Sequence, residues 1–437
     1  MPERTDRRQF LARLGAAVSA SGLGAWSADK GHAADSVTAN GDSLPGLAAF
    51  DTLMERFFDE NQPLGASLAV AYQGRLVYAK GFGYADLARK QHVQPTSLFR
   101  IASLSKPITA AAVMKLVEAE KVQLDQPIVP LLALDFLEDD PQSWADPRLA
   151  DITVRHCLQH TGGFDKQASG DPLALSHQIR DALDVTFPLS QDNLLQFALT
   201  RKLDFDPGHQ YAYANIGYLM LGRLIEQLSG QTYQAYVQQE ILHPLGIRSM
   251  QLARTLKEDA APAEVQYRDA KGRTGPNVLG LESEDPVPFP YGIERIENVS
   301  SAGGWLASAV EVTRFASGLF FPQGKPLLNK QSQEQMFAKP HISGATPDWN
   351  GAYYGCGWLV RPVQGKLLPW TCWHTGQLAG VSSLLVARAD GVCFTVLFNQ
   401  DFNPEGQTMS VTIDPLLHAP ASGVGRWPAG DLFTRYL

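Results

Sequence analysis

Ser103 and Lys106 are residues whose types and spacing could perform covalent chemistry. A serine hydroxyl is a weak nucleophile at neutral pH and needs a base close to it. Residues three apart are neighbours on a helix. The apolar residues after Lys106 recur with the helical period, at Ile108, Ala112, Val113, Leu116 and Val117. The pattern therefore predicts a helix that begins near Ser103 and ends in the charged residues 118–121, with hydroxyl and amine on one face.

The start of this helix admits two interpretations. Pro107 falls in the first turn, where its missing N–H costs no hydrogen bond. Ser103 would then lie at a helix N-terminus, where backbone N–H groups and the helix dipole stabilise a developing oxyanion. Alternatively, Ser103 or Ser105 only caps the helix, and Lys106 is a solvated lysine. The stretch alone does not distinguish a nucleophile from a cap.

Two further short segments carry groups that could complete a site. Residues 213–215, Tyr-Ala-Asn, follow a turn at 206–208 and open a predicted helix over 216–228. Residues 374–376, His-Thr-Gly, end a β-rich run. The glycine of that second segment would let backbone and substrate approach closely.

Helical patterns occupy the middle of the chain, and β-rich runs occupy its two ends. An amphipathic helix over 47–58 precedes a predicted hairpin with strands 67–72 and 75–80. From 103 to about 252 the long patterns are helical. The last third returns to strands, predicted at 354–361, 367–374, 381–388 and 392–398.

These elements predict an α/β (α+β) fold with one antiparallel sheet built from both chain ends and flanked by helices. A mostly helical domain would be inserted between the two halves of the sheet, with the active site at the seam, where pockets commonly lie. The predicted domains are a sheet domain at 35–103 and 300–418, an inserted helical domain at 104–299, and a C-terminal tail at 419–437.

Composition excludes several function classes. The 437 residues are 44% hydrophobic and carry 37 Lys and Arg against 45 Asp and Glu, for a net charge of −8. Without a basic cluster beyond the first residues, nucleic acid is not an expected partner. No later apolar run approaches the ~20 residues of a membrane span. The expected partner is a small-molecule ester, amide or peptide substrate.

The N-terminus has the pattern of a targeting signal. Residues 6–11, Asp-Arg-Arg-Gln-Phe-Leu, form a twin-arginine pattern, and a moderately apolar stretch over 14–26 leads to small residues at Ala33 and Ala34. We expect residues 1–34 to be a twin-arginine signal peptide and the protein to be periplasmic or secreted. An amphipathic first helix is the alternative. The segment contains no cysteine, so no lipid anchor is expected.

The four cysteines do not have the spacing of a zinc site or of a C-x-x-C redox motif; they are Cys157, Cys356, Cys372 and Cys393. A twin-arginine substrate folds before export, so we expect free buried thiols. A bridge between Cys356 and Cys372 is the alternative.

Segments 103–106, 213–215 and 374–376 together resemble the serine β-lactamase and penicillin-binding-protein superfamily, in particular its class C β-lactamase and family VIII esterase branch. The resemblance spans roughly 45–400. It includes five further landmark segments, at 158–163, 206–208, 243–247, 301–305 and 354–358.

The resemblance implies a role for each site residue. Ser103 would attack the substrate carbonyl, while Lys106 and Tyr213 would jointly move its proton, either of them serving as the base. Asn215 would hydrogen-bond Lys106 and the substrate. Residues 374–377, comprising His374, Thr375, Gly376 and Gln377, would form the opposite wall. The oxyanion hole would consist of the backbone N–H groups of Ser103 and Gln377.

One departure from the family pattern affects the expected substrate. Dedicated β-lactamases and transpeptidases usually carry Lys-Thr-Gly, whose lysine helps to hold the substrate carboxylate. Here that position is His374, whose unperturbed pKa is ~6.5. We therefore expect an exported serine hydrolase of esters or amides. The alternatives are a β-lactamase or DD-peptidase or D-aminopeptidase of the same fold and, more remotely, a non-catalytic binder of cell-wall peptides.

Other motifs favour structural interpretations. His156 and His160 are four residues apart but lack the glutamate of H-E-x-x-H, so a core or turn role is expected and no metal site. No G-x-S-x-G and no dinucleotide-binding glycine loop occurs, and no cofactor is expected. The irregular segments 165–200 and 256–298 are the expected determinants of specificity.

Overall fold

The computed structural model describes residues 37–138, 140–281, 285–344 and 349–437. The predicted signal peptide, residues 1–34, lies outside the described residues. In the described part of the chain, no helix has the length and apolar composition to cross a membrane.

The strands are β1 (Ala39–Ser43), β2 (Gly65–Tyr72), β3 (Arg75–Asp86), β4 (Gln91–His92), β5 (Phe99–Arg100), β6 (Gln251–Leu252), β7 (Thr274–Gly275), β8 (Val287–Pro288), β9 (Trp305–Ala307), β10 (Tyr353–Tyr354), β11 (Leu359–Pro362), β12 (Trp370–Leu378), β13 (Val381–Ala387) and β14 (Val392–Phe398).

The α-helices are α1 (Ala48–Asn61), α2 (Ser105–Glu118), α3 (Val154–Leu158), α4 (Ser176–Leu183), α5 (Gln191–Leu199), α6 (Asn215–Ser229), α7 (Tyr233–Val237), α8 (Ile296–Gly303), α9 (Ala309–Phe320), α10 (Lys330–Met336), α11 (Met409–Gly423) and α12 (Phe433–Tyr436).

The main sheet joins the two ends of the chain. Its strand order is β1-β3-β2-β14-β13-β12-β11-β10, with β4 beside β3, and all of these neighbours are antiparallel. Strands β2 and β14 meet in the middle, where Val70 lies opposite Phe394. The predicted fold class, a mixed α and β structure with a large antiparallel sheet, is confirmed.

The centre of the sheet is buried on both faces. Along β2, Leu68 and Val70 join a core with α1 and α11, whereas Ala69 and Ala71 join the larger core that contains α2 and α9. This alternation follows from the two-residue period of a strand. Burial on both faces explains why β2, β13 and β14 are almost continuously apolar in sequence.

Two predicted strands differ from those observed. The run 354–361 forms two short strands, β10 and β11, because Gly357 turns the chain with a φ of 80°. A Cβ on Gly357 would lie 3.0 Å from the carbonyl oxygen of Lys106, so this turn packs closely on α2. Strand β12 starts at Trp370 and runs to Leu378, later than the predicted 367–374.

The C-terminal residues pack on the sheet domain. Helix α11 continues to Gly423, and Phe433 is buried in the larger core. Arg435 and Tyr436 both contact the carboxylate of Asp42 on β1. All four cysteines are free and buried, as the sequence predicted.

Candidate active site

Ser103 lies in a single 3-10 turn, Ala102–Leu104, that leads directly into α2. Ala102 has a φ of 50°, in the left-handed region, where a residue with a Cβ is strained by ~1–2 kcal/mol. Two buried hydroxyls hold this strained turn: Ser105 donates to the carbonyl of Ala102 at 2.7 Å, and Ser383 to that of Ile101 at 2.8 Å. Ser105 therefore supports the turn that presents Ser103.

Lys106 is completely buried and has three polar neighbours. Its Nζ lies 3.1 Å from Ser103 Oγ, 2.7 Å from Asn215 Oδ1 and 2.7 Å from the carbonyl oxygen of Ala302. Burial lowers the pKa of Lys106 well below its ordinary value, and the charge of Lys166 adds to this, whereas the carboxylate of Asp171 opposes it. These effects favour the neutral amine.

Tyr213 completes the contacts of the serine from an extended segment before α6. Its hydroxyl donates to Ser103 Oγ at 2.9 Å. Burial raises the pKa of Tyr213 above the ordinary value of a phenol, the charge of Asp171 raises it further, and the hydrogen bond with Ser103 opposes the rise. Tyr213 is therefore a neutral phenol in the resting site.

Asp171 extends the network beyond the predicted residues. Asn215, the first residue of α6, accepts from Lys106 and donates from Nδ2 to Asp171 Oδ2 at 2.6 Å. The amide orientation is thereby fixed from both sides, with its oxygen toward the ammonium or amine and its nitrogen toward the carboxylate. One continuous polar chain links Asp171 to Ser103.

His374 lies opposite the serine in the second half of β12. Its Nδ1 donates to the carbonyl of Thr375 at 2.7 Å, so its Nε2 accepts from the hydroxyl of Tyr354 at 2.9 Å. Burial, and then the charge of Lys106, lowers the pKa of His374 to about 3. The ring is therefore neutral at physiological pH, and it provides no cation.

Gly376 lies where β12 meets the turn that carries the serine. A Cβ there would lie 2.6 Å from the carbonyl oxygen of Ile101 and 3.0 Å from the Cβ of Ala102. The close approach predicted for this glycine is thus an approach to the residues immediately before Ser103. Thr375 and Gln377 line the cleft beside it.

The cleft itself is a cavity of about 610 Å³ that contains Ser103 on its wall. Residues 166–174, which include Lys166 and Asp171, line it together with Arg273 and residues 289–294, which include Glu294. These segments fall within the two irregular regions that the sequence indicated as determinants of specificity.

The charged residues of these loops differ in how they are paired. Arg273 binds Asp269, with Nη2 to Oδ1 at 2.5 Å, and its Nη2 lies 3.5 Å from Asp401. In the described part of the chain, neither Lys166 nor Glu294 has a hydrogen-bond or ion-pair partner. Burial, with the nearby charge of Asp171, raises the pKa of Glu294 to about 7.

Among the described residues, no group of three or more His, Cys, Asp or Glu side chains is arranged to hold a metal ion. His156 accepts the backbone N–H of Thr153 at 3.2 Å as part of the cap of α3. His160 accepts the backbone N–H of Ala214 at 3.3 Å. The two histidines therefore bind separate backbone groups, as the structural interpretation predicted.

The sequence predicted the residues that the structure gathers around Ser103, but not Asp171, Lys166, Glu294 or Tyr354 as parts of the site. Asp171 does carry a local signal, since Asp followed by Pro is a typical cap, and it accepts the backbone N–H of Leu173. That signal locates a turn and does not identify Asn215 as its partner.

The chain is similar to one family model and to several known proteins. A family model described as Beta-lactamase matches residues 50–415. A putative fimbrial assembly protein FimD, serogroup D, of Dichelobacter nodosus is 28% identical over 76% of this chain and 73% of its own. Esterase EstB of Burkholderia gladioli is 27% identical over 84% of this chain and 93% of its own.

A solved structure shows a similar fold. The octameric penicillin-binding protein homologue from Pyrococcus abyssi superposes with a TM-score of 0.63 at 24% identity, covering 86% of this chain and 78% of the other. At this identity the similarity concerns the fold alone.

Proposed function

Because this chain belongs to the beta-lactamase family of enzymes, we propose that it is a serine hydrolase that cleaves ester or amide bonds through an acyl-enzyme on Ser103. One observation carries the proposal: Ser103 Oγ lies 3.1 Å from a buried amine and 2.9 Å from a phenol, on the wall of a cleft. A solvated lysine beside a helix cap would have neither contact.

Lys106 is the base in this proposal. A neutral amine has two N–H donors and one lone pair. The two short contacts of Nζ, both at 2.7 Å, are to the carbonyl-type oxygens of Asn215 and Ala302, which only accept. The lone pair is then directed to Ser103, whose hydroxyl proton moves to Nζ as Oγ attacks the carbonyl carbon.

Tyr213 is the acid. As the tetrahedral intermediate collapses, the bond to the leaving group breaks and the leaving oxygen or nitrogen takes the phenol proton. The acyl-enzyme then holds a Lys106 ammonium and a Tyr213 phenolate. In deacylation a water molecule loses its proton to the Tyr213 oxygen as it attacks the acyl carbon. Lys106 returns its proton to Ser103 Oγ as the bond to the acyl carbon breaks and the acid product leaves.

The oxyanion is stabilised by the backbone N–H groups of Ser103 and Gln377. Gly376 supports this arrangement, because a side chain there would separate β12 from the turn that carries the serine. Losing one oxyanion donor typically costs ~10²–10³ in kcat.

Asp171 fixes Asn215 and adjusts the basicity of Lys106. Its carboxylate raises the pKa of Lys106, whereas burial lowers it. The amine is therefore a stronger base than it would be with burial alone. A base whose pKa is near the working pH transfers protons most effectively.

Neutral His374 favours esters and amides over β-lactams as substrates, because a β-lactam carboxylate finds no fixed cation at this position. The similarity to Esterase EstB points in the same direction. A β-lactamase, a DD-peptidase or D-aminopeptidase, and a non-catalytic binder are the competing outcomes of the test.

The test is intact and peptide mass spectrometry after exposure to a fluorophosphonate and to a p-nitrophenyl ester. We expect one covalent adduct, on Ser103, and none in Ser103→Ala. An adduct on another residue overturns the mechanism. Absence of acylation by esters, β-lactams and D-amino-acid peptides favours the binder. Parallel assays with nitrocefin and a short-chain ester distinguish a β-lactamase from an esterase.

Export by the twin-arginine route is part of the proposal and rests on residues 1–34. The full chain should accumulate outside the cytoplasm of a twin-arginine-competent host. Replacing Arg7 and Arg8 by lysine should retain the chain inside, whereas Arg13→Lys, the matched control, should not. Export of the double variant would refute this route.

A further inference from the structure

Tyr213 is positioned differently from the other groups around Ser103. Lys106 and Asn215 lie on helices and His374 on a strand, but residues 211–214 form neither helix nor strand. No regular element therefore fixes the phenol at 2.9 Å from Ser103 Oγ. The contacts of this segment must do so.

His160 supplies contacts on both sides of Tyr213. Its carbonyl oxygen accepts the backbone N–H of Ala212 at 2.9 Å, and its ring Nδ1 accepts that of Ala214 at 3.3 Å. One residue thus holds the chain immediately before and immediately after the tyrosine.

The ring of His160 also packs directly on the phenol. Its centroid is 4.2 Å from that of Tyr213 and 4.6 Å from that of Tyr354. The side chain is 2% exposed, and its Nε2 has no hydrogen-bond partner among the described residues. Because Nε2 has no polar partner, we infer that packing against the two tyrosines, and not a second hydrogen bond, determines the orientation of the ring.

The backbone of His160 is adapted to this position. Its φ of 57° lies in the left-handed region, where histidine, asparagine and aspartate are several-fold enriched among residues other than glycine. This conformation places the carbonyl and the ring of one residue against two different peptide groups of the 211–214 segment.

We propose that His160 is a positioning residue that holds Tyr213 at hydrogen-bond distance from Ser103. The inference rests on the proposed function of Tyr213 as the acid. His160 touches neither Ser103 nor the cleft, and it acts through the tyrosine. A misplacement of about 1 Å can cost about 10²-fold in rate, which sets the size of the expected effect.

The experiment compares three variants by kcat and KM for a short-chain alkyl ester, whose alkoxide leaving group must be protonated, and by the rate of fluorophosphonate labelling. His160→Leu keeps bulk but loses the acceptor for Ala214, and kcat should fall about 10²-fold with KM changed less than about threefold. His160→Asn tolerates the left-handed φ and keeps a side-chain acceptor, so it should recover at least about tenfold of the loss. His160→Gly removes ring and acceptor without backbone strain and should behave like His160→Leu even if the latter folds poorly.

His156→Leu is the matched control. It also removes a histidine Nδ1 that accepts a backbone N–H, in this case that of Thr153, and it lies away from Tyr213. The loss of a helix cap costs about 1 kcal/mol of stability, so its melting temperature should fall while kcat stays within about twofold of wild type.

A double-mutant cycle with Tyr213→Phe isolates the coupling. If His160 acts through the phenol, His160→Leu should change the residual rate of Tyr213→Phe less than about twofold. A full 10²-fold loss in that background, or wild-type kcat in both His160→Leu and His160→Gly, overturns the inference alone. Wild-type kcat in Tyr213→Phe itself overturns the proposed acid and the inference together.

Discussion

The cleft has two walls of different construction. The regular wall consists of Ser103 in the turn before α2, Asn215 at the start of α6 and residues 374–377 of β12, with Lys106 of α2 buried behind it. The loop wall consists of residues 166–174, Arg273 and residues 289–294. Lys106, Asn215 and His374 each have hydrogen-bond partners that fix their orientation. In contrast, Lys166 and Glu294 of the loop wall have no hydrogen-bond or ion-pair partner among the described residues.

In the proposed mechanism the regular wall carries the nucleophile, whereas the loop wall meets the substrate and, through Asp171, adjusts the pKa of Lys106. A side chain that donates or accepts a proton in the reaction must be held rigidly and be fully hydrogen-bonded. Groups that only meet the substrate can lie on loops. Changes in the regular wall should therefore reduce kcat, and changes in the loop wall should shift pH dependence and stability.

Lys106→Met should have the largest effect, because it removes the proposed base from the regular wall while keeping a long buried side chain. General base catalysis contributes ~10²–10⁴, so kcat for a p-nitrophenyl ester should fall by about 10³-fold or more. Lys115→Met is the control on the same helix, since Lys115 only pairs with Glu118 near the surface. Ester turnover by Lys106→Met at the wild-type rate would remove Lys106 from the mechanism.

Gly376→Ala should lower kcat by about 10²-fold, because β12 must move away from the Ile101–Ala102 peptide and carry Gln377 with it. The measurement is kcat with the melting temperature recorded beside it. Gly324→Ala is the control, since a Cβ there meets nothing within 4 Å. Unchanged kcat would show that the oxyanion site does not depend on this close approach.

Asp171→Asn should have a smaller effect on kcat and a distinct effect on its pH profile. The carboxylate raises the pKa of Lys106, and its removal lowers that pKa further. The neutral base then persists to lower pH, so the acidic limb of kcat should move to lower pH. Asp181→Asn, at an exposed ion pair with Arg180, is the control. A limb that stays in place or moves upward contradicts this role.

Glu294→Gln should change stability and leave kcat within about threefold. The folded pKa of about 7 exceeds the ordinary value of 4.5, so the folded state retains a proton that the unfolded state releases between these two values. Wild type therefore loses stability as pH rises through that window, and the variant does not. Because the side chain is partly open to the cleft, we expect the unfolding free energy of the variant to exceed that of wild type by about 1–2 kcal/mol above pH 7. Near pH 4 the two should not differ. Urea unfolding measures both values.

Equal stability of Glu294→Gln and wild type at pH 8 would show that this carboxyl is not perturbed. A large loss of kcat in the same variant would place Glu294 in the chemistry and break the division between the two walls.

The regular wall was predictable because its residues lie at fixed spacings within elements. Ser103 and Lys106 are one helical turn apart, and the family landmarks place Tyr213, Asn215 and His374 around them. The structure brings these residues within contact distance, while their catalytic roles remain part of the proposal. Most strands of the main sheet could also be predicted from the sequence, because strands that are buried on both faces have long apolar runs.

The loop wall was not predictable at the level of residues. Asp171 hydrogen-bonds to Asn215, which is 44 residues later in the sequence. This contact depends on the path of a loop, and a loop has no sequence periodicity from which its path could be predicted. The division of 354–361 into β10 and β11 was missed for a related reason. The residues are β-rich, and only the packing of Gly357 against α2 shows why the strand must break there.

The pairing of β2 with β14 has a consequence for synthesis. Gln377 is made more than 270 residues after Ser103, and β14, which locks β12 and β13 to the N-terminal hairpin, is made later still. At roughly 5–20 residues per second, the nascent chain carries its serine for about 14–55 s before the opposite wall exists. A ribosome-bound fragment that ends before β12 is therefore expected to be inert toward esters, and activity is expected only after β12, β13 and β14 have been synthesised.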